Sequence, residues 1–254
     1  DGIVIQHGVP ESLQRVAQRA LDAGIPVVAF DVDLDNPNIP QIAQNDPQHG
    51  RNAIEAIRDD FGGDVDMGYV RVAGILPLDK RDGPIQEVIS SEPGMEVAIQ
   101  TGTLDSPIAV RNADQATAAL RANPEVQAYL APYNEFAKGI VLALEELGMT
   151  DDVRVYSVDI ATQDIEIMTE PDSPWVMTSA VNPAEMGAVS VRALAQQMAG
   201  EDVPNEILVE PMTFTSDMLV DAGVANMEEL MAAFPEFQSS EAARSSWMPA
   251  GSGN

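Results

Sequence analysis

The strongest constraint in this sequence is a change of hydrophobic period that is complete by Phe30. Ile3, Val4 and Ile5 form a short apolar run. Leu13, Val16, Ala17, Ala20 and Leu21 then recur at the spacing of one helix face. Gly24 stands where such a helix stops, and Pro26 follows it. Val27 to Phe30 is apolar again. A strand, a helix and a strand with connections this tight form a parallel pair with a right-handed crossover.

The alternation continues along the chain. The pattern predicts helices over about 47–61, 80–91, 113–122, 135–147, 162–169 and 184–199. Between them it predicts strands near 67–73, 95–100, 126–131, 153–158, 175–180 and 206–210. Gly62-Gly63, Pro93-Gly94 and Gly148 punctuate these elements. Strands alternating with helices give an α/β fold, a doubly wound parallel sheet covered on both faces. With 254 residues the chain can form one large domain or two lobes. No fixed period suggests a solenoid, and no run reaches the ~18 apolar residues of a membrane span. Beyond about 215 the pattern turns helical and then loop-like, with a Gly251-Ser252-Gly253 tail expected to be mobile. Asp1 stands one residue from a buried-looking strand, so the chain is expected to be truncated at its N-terminus.

Charge narrows the partners. Asp and Glu number 41 against 13 Lys and Arg, a net charge of −28. Such a surface repels phosphate backbones and anionic lipid, so nucleic-acid binding is not expected. The same balance reads as a solvated acidic coat suited to a saline habitat. There is no cysteine, which excludes disulfides, thiolate metal sites and cysteine nucleophiles. His7 and His49 are too few and too far apart for a metal site or a triad.

In open parallel sheets, ligands bind beyond the carboxyl ends of the strands. The residues there are Gln6, His7 and Gly8; Asp31, Val32, Asp33, Leu34, Asp35 and Asn36; and Gly74, then Asp79 to Asp82. Later come Pro132, Tyr133, Asn134 and Glu135; Asp159 with Thr162, Gln163 and Asp164; and Asn182-Pro183. Carboxylates, amides, one Arg and one Tyr suit the grasping of hydroxyl groups. Each also has a purely structural reading. Asp31 reads equally as a loop acid, and Asp33 and Asp35 more readily so. Arg81 reads equally as a surface ion pair with Asp79 or Asp82. Tyr133 reads as core, Asn134 and Asp159 as helix caps, and Asn182 as a helix start.

Several chemistries fail on spacing. Asp31-x-Asp33-x-Asp35 starts like a calcium-binding loop, but Asn36 and Ile42 occupy the positions that need Gly and Glu. Phosphate-cradling glycine motifs, H-E-x-x-H and G-x-S-x-G are all absent. No metal and no cofactor is expected. A carboxylate pair for glycoside hydrolysis is not singled out among so many acids.

The segments D-G-I-V-I-Q-H-G, A-L-D-A-G-I-P-V-V-A-F-D and V-Q-A-Y-L-A-P-Y-N-E-F-A-K-G-I-V-L-A-L-E-E-L-G resemble the type I periplasmic binding proteins. More narrowly they resemble sugar-binding subunits of ABC transporters of the ribose-binding kind. V-Y-S-V-D-I and T-S-A-V-N-P-A-E-M-G-A fall in the same order, and the likeness runs to about residue 215. The resemblance implies two lobes joined by three crossing strands, with a sugar held in the cleft. The N-terminal lobe would comprise 1–46 plus 183–211, and the C-terminal lobe 47–182 plus 212–254. The family's ligand-holding positions fall on Asp31, Arg81, Tyr133 with Asn134 beside it, Asp159 and Asn182. Tyr133 and Asn182 replace the family's Asn and Gln, which keeps a polar cleft of altered shape and does not imply ribose itself. The family's first two strands would precede Asp1, which leaves the first lobe incomplete.

The expected function is therefore that of a periplasmic or extracellular solute-binding protein, monomeric and not an enzyme. It would capture a monosaccharide or polyol by hinge closure and deliver it to an ABC transporter permease or a chemoreceptor. Asp31, Arg81, Asn134, Asp159 and Asn182 would bond hydroxyls, and Tyr133 would pack on the ring. The alternatives are the effector core of a transcription regulator sharing this fold, a signal-sugar receptor, and a sugar-acting enzyme.

Overall fold

The computed structural model describes residues 1–238 and 241–249. The Gly251-Ser252-Gly253 tail lies outside the described residues. In chain order the elements begin β1 (Ile3–Gln6), α1 (Pro10–Asp22), β2 (Val27–Phe30), β3 (Gln41–Gln44) and α2 (Asp46–Phe61). Next come β4 (Asp64–Val70), α3 (Leu76–Ser91), β5 (Gly94–Thr101), α4 (Ile108–Ala122), β6 (Ala128–Ala131) and α5 (Asn134–Leu147). They continue as β7 (Arg154–Val158), α6 (Thr162–Met168), β8 (Trp175–Ala180), α7 (Pro183–Met198) and β9 (Glu206–Val209). The last are β10 (Met212–Thr215), α8 (Ser216–Asp221), α9 (Met227–Ala233) and a 3-10 turn, Pro235–Gln238.

The chain divides into two compact units. Among the described residues, unit 1 holds Asp1–Asn45, Val181–Glu210 and the stretch from Phe234; unit 2 holds Asp46–Ala180 and Pro211–Ala233. The expected α/β architecture is present, as two mostly parallel sheets. The sheet of unit 1 runs β1-β2-β3-β9, all parallel. The sheet of unit 2 runs β10-β8-β7-β6-β4-β5, parallel except for β10 against β8. The sequence reading assigned all of 212–254 to the second lobe, but the stretch from Phe234 groups with unit 1. There the Arg192 Nε of α7 donates to the Ala242 carbonyl and Gln196 Nε2 donates to Ser245 Oγ.

Alternation builds the core of unit 2. On β6, Ala128 and Leu130 face Ile54 and Ile57 of α2 and Ile85 and Val88 of α3. Tyr129 between them points to the opposite side. Gly68, its register partner on β4, leaves the room its ring needs, since a Cβ there would collide with it. The Tyr129 hydroxyl pairs with Thr101 Oγ1 at 2.8 Å. Burial pushes that phenol up to about 12, partly countered by the Thr101 bond. Unit 1 packs Val28, Ile42 and Ile207 against Met186, Val189 and Ala193 of α7 on one face. Ala17 and Ala20 of α1 close on Val27 and Ala29 from the other.

Three local expectations are corrected. The strand expected near 67–73 is β4, which starts directly after the Gly62-Gly63 turn and ends at Val70. The helix expected from 80 begins at Leu76, because Pro77 fits the first turn, where its missing N–H has no partner to lose. β3 and β10 were not foreseen. Gln41-Ile42-Ala43-Gln44 offers only two adjacent apolar residues, and pairing with β2 and β9 makes it a strand.

Candidate functional site

In unit 2 the strand ends converge on one buried guanidinium. Arg81 lies in α3, and its side chain is 3% exposed. Its Nε donates to Asp46 Oδ1 at 2.9 Å. Its Nη1 donates to the Pro132 carbonyl at 2.7 Å and to Asp159 Oδ2 at 3.0 Å, and its Nη2 reaches Asp159 Oδ1 at 3.3 Å. Those bonds occupy four of the five N–H donors of a planar fork and leave one on Nη2. Burial lowers the guanidinium's affinity for its proton, but Asp159 and Asp46 more than offset this and raise it. Gly50 of α2 permits the approach, because a Cβ there would collide with the Arg81 carbonyl. The alternative surface pairs with Asp79 or Asp82 are not formed: Asp79 accepts from the Gly74 N–H, and Asp82 is gripped by Arg71 and Tyr69.

Asp159 follows β7 directly and sits at φ +75°, a left-handed conformation uncommon outside glycine. β8 pins this kink from both sides: the Asp159 N–H donates to the Ser179 carbonyl, and Thr178 Oγ1 donates to the Asp159 carbonyl. Asp159 does not cap α6, whose N-cap position is Ala161. Its side chain stays 26% exposed while Arg81 fixes its plane. The arrangement is a carboxylate that accepts and a neighbouring N–H that donates, which matches a hydroxyl that does both.

Tyr133 follows β6, one residue past the carbonyl that Arg81 holds. It is half-buried, with its ring edge-on to Phe136 at 5.3 Å and 86°. Burial raises its phenol, helped by the Glu135 and Asp159 carboxylates. Asn134 is the first residue of α5, not its cap, and its amide is committed elsewhere. Its Nδ2 donates to Asp164 Oδ2 at 2.6 Å, and its Oδ1 accepts from the Glu135 N–H. Lys138 Nζ meets Asp164 at 3.1 Å and Glu135 at 2.6 Å. Burial raises the Asp164 carboxyl, with Asn134 and Lys138 pulling the other way. Asn134 therefore braces the Tyr133 turn against α6.

Two candidates lie in unit 1. Asp31 directly follows β2 at φ +48°, with its side chain 3% exposed and its N–H bonded to the Ile42 carbonyl. Asn182 is buried and caps α7, its Oδ1 accepting from the Ala184 N–H. The structure thus joins Arg81, Tyr133, Asn134 and Asp159 in unit 2 and sets Asp31 and Asn182 in unit 1. Among the described residues, no group of three or more His, Asp or Glu could hold a metal ion.

Sequence reasoning missed Asp46. It stands two residues beyond β3, so recognising that strand would have placed it among the strand-end acids. It also missed His49 on the next turn of α2, fully buried with Nδ1 at 3.0 Å from Ser179 Oγ. Burial, reinforced by Arg81, holds the His49 imidazole well below its usual range, so it is neutral.

The periplasmic binding protein domain profile matches residues 1–202. A search of curated proteins gave no match. Among solved structures, a 5-methylthioribose transporter solute-binding protein from Thermotoga lettingae, in complex with 5-methylthioribose, is 38% identical with a TM-score of 0.90. The alignment covers 97% of this chain and 78% of that one. A sugar ABC transporter protein from Yersinia enterocolitica is 27% identical, with a TM-score of 0.88 over 97% of this chain and 75% of that one. A solute-binding protein from Agrobacterium vitis with bound allitol shares the fold at 22% identity, with a TM-score of 0.77 over 88% of this chain and 78% of that one. No helix among the described residues is long and apolar enough to cross a membrane. This chain belongs to the periplasmic binding protein domain family, of type I, whose members bind solutes and do not transform them.

Proposed function

We propose that the protein is an extracytoplasmic receptor that captures a ribose-type monosaccharide and delivers it to an ABC transporter permease. The observation that carries this reading is the buried Arg81, fixed by Asp46 and the Pro132 carbonyl so that Asp159 and one Nη2 N–H stand side by side. A sugar hydroxyl donates to the carboxylate and accepts from the guanidinium, so each bond polarises the other. An analogue lacking that hydroxyl leaves the remaining Nη2 N–H of the buried guanidinium without an acceptor, which gives discrimination. Asp31 and Asn182, the strand-end groups of unit 1, are further ligand-contacting residues in this reading, and in unit 2 Tyr133 offers its ring to a C–H face.

The favoured ligand class is a ribose derivative carrying an apolar group at its fifth carbon. The Thermotoga lettingae relative is in complex with 5-methylthioribose. The half-buried Tyr133 ring, backed edge-on by the buried Phe136, supplies aromatic surface at the same strand ends as Asp159. A thioether packs favourably against aromatic edges.

A thermal-shift screen of the protein tests this, with 5-methylthioribose, ribose, arabinose, allose, glucose and allitol as the panel. A ligand at 100 times its Kd adds about 2.7 kcal/mol. At about 2–4 °C per kcal/mol, that raises Tm by about 5–11 °C. The expected result is a large shift with 5-methylthioribose and a smaller one with ribose. No shift with any sugar would refute the proposal.

A further inference from the structure

Asp31 has a twin. β1 and β2 pair in parallel with Gln6 opposite Phe30, so the next register position sets His7 opposite Asp31. Both residues are kinked in the same way, at φ +54° and +48°, immediately beyond the last strand residue. Two non-glycine residues in the left-handed region side by side are rare, and such strain gathers at ligand-holding positions. The two kinks are held by the sheet itself: the His7 N–H donates to the Phe30 carbonyl and the Asp31 N–H to the Ile42 carbonyl. The His7 ring stands edge-on to Phe30 at 5.5 Å and 79°.

The side-chain geometry is that of a pair without a direct bond. His7 Nε2 lies 3.9 Å from Asp31 Oδ2, beyond hydrogen-bond length. An oxygen at about 2.8 Å from both atoms would subtend about 90° between them, close to the angle at which a hydroxyl donates one bond and accepts another. The imidazole is 57% exposed while the acid is almost covered, so the histidine forms the open side of this gap.

We propose that His7 is a ligand-contacting residue, which grips the same sugar hydroxyl as Asp31 and so sets specificity at that position. This rests on the sugar-binding reading above. The hydroxyl donates to the Asp31 carboxylate and accepts from the His7 Nε2 N–H, the counterpart in unit 1 of the Asp159–Arg81 arrangement in unit 2. His7 is then kept in a strained backbone position for the sake of its imidazole, where glycine would be easier on the chain.

The test is His7→Gly, which relieves the strain and removes the ring. Calorimetric titrations use 5-methylthioribose and ribose on the wild type, His7→Gly, Asp31→Ala and the double variant. The expected result is that His7→Gly leaves Tm within about 2 °C yet weakens sugar binding about tenfold. In the Asp31→Ala background the same substitution should cost less than about threefold, because the shared hydroxyl has already lost its acceptor. Unchanged affinity in His7→Gly, with the wild type binding normally, overturns the inference and leaves the sugar-binding reading intact. A full tenfold loss that persists without Asp31 overturns the shared hydroxyl. A wild type that binds neither sugar overturns both proposals.

Discussion

Replacing Asp46 by alanine removes the acceptor that aims Arg81. The guanidinium stays buried, since both side chains are nearly inaccessible, at 3% and 2% exposure. Removing one member of a buried ion pair costs about 3–5 kcal/mol, because the remaining charge keeps its desolvation and loses its partner. Arg81 still holds the Pro132 carbonyl and Asp159, so the lower figure, about 3 kcal/mol, applies. For a body of roughly 150–250 residues that lowers Tm by about 6–12 °C. Circular dichroism melts of the wild type, Asp46→Ala and Asp46→Asn measure it. Asn keeps an oxygen for Nε without the charge, so its Tm should lie between the other two. Sugar affinity should fall in the same order, because a released Arg81 no longer sets the plane of Asp159. The reasoning is refuted if Asp46→Ala melts within about 2 °C of the wild type, since Arg81 would then not depend on its partner.

Three further outcomes follow from the same neighbourhood and from the charge. His49 is neutral in the fold and titrates near 6.5 when unfolded, so its contribution is present above that pH and is lost as pH falls towards its depressed folded value. Urea unfolding between pH 7 and 5 should show stability falling by up to about 1.4 kcal/mol per pH unit from this group, a slope that His49→Gln removes. Gly50→Ala forces α2 away from the Arg81 carbonyl and should lower both Tm and sugar affinity, whereas Gly187→Ala, where a Cβ meets nothing within 4 Å, should do neither. With a net charge of −28, Tm should rise on adding salt to about 1 M; a flat response would show that self-repulsion does not limit stability.

The sequence carried the fold wherever an apolar period ran long enough to be recognised. β1, α1 and β2 follow from Ile3–Ile5, the Leu13–Leu21 stripe and Val27–Phe30, with Gly24 as the stop. β3 escaped because its four residues hold two apolar side chains, and its strand character comes from neighbours on both sides. That omission hid Asp46, which strand-end reasoning otherwise reaches. Asp31 and Asp159 were reachable because each directly follows a clear strand. Arg81 was reachable as a polar residue near a strand end, but its burial in an ion-pair network was not, since its partners lie 35 and 78 positions away in sequence. The commitment of the Asn134 amide to Asp164 was equally invisible, because it depends on α6 packing beside α5 across 30 positions. The strand-end place of His7 is legible in the sequence, but its register with Asp31 is a property of the paired strands.

The central claim is that strand-end polar groups fixed by a buried network hold a sugar. Its most direct test is a calorimetric titration of the wild type and Asp159→Ala with 5-methylthioribose. The account predicts saturable one-to-one binding by the wild type and an affinity lower by about 10–100-fold in the variant, the worth of a hydrogen bond to a charged group. Equal affinity in the two proteins, or no heat of binding in the wild type, would contradict it.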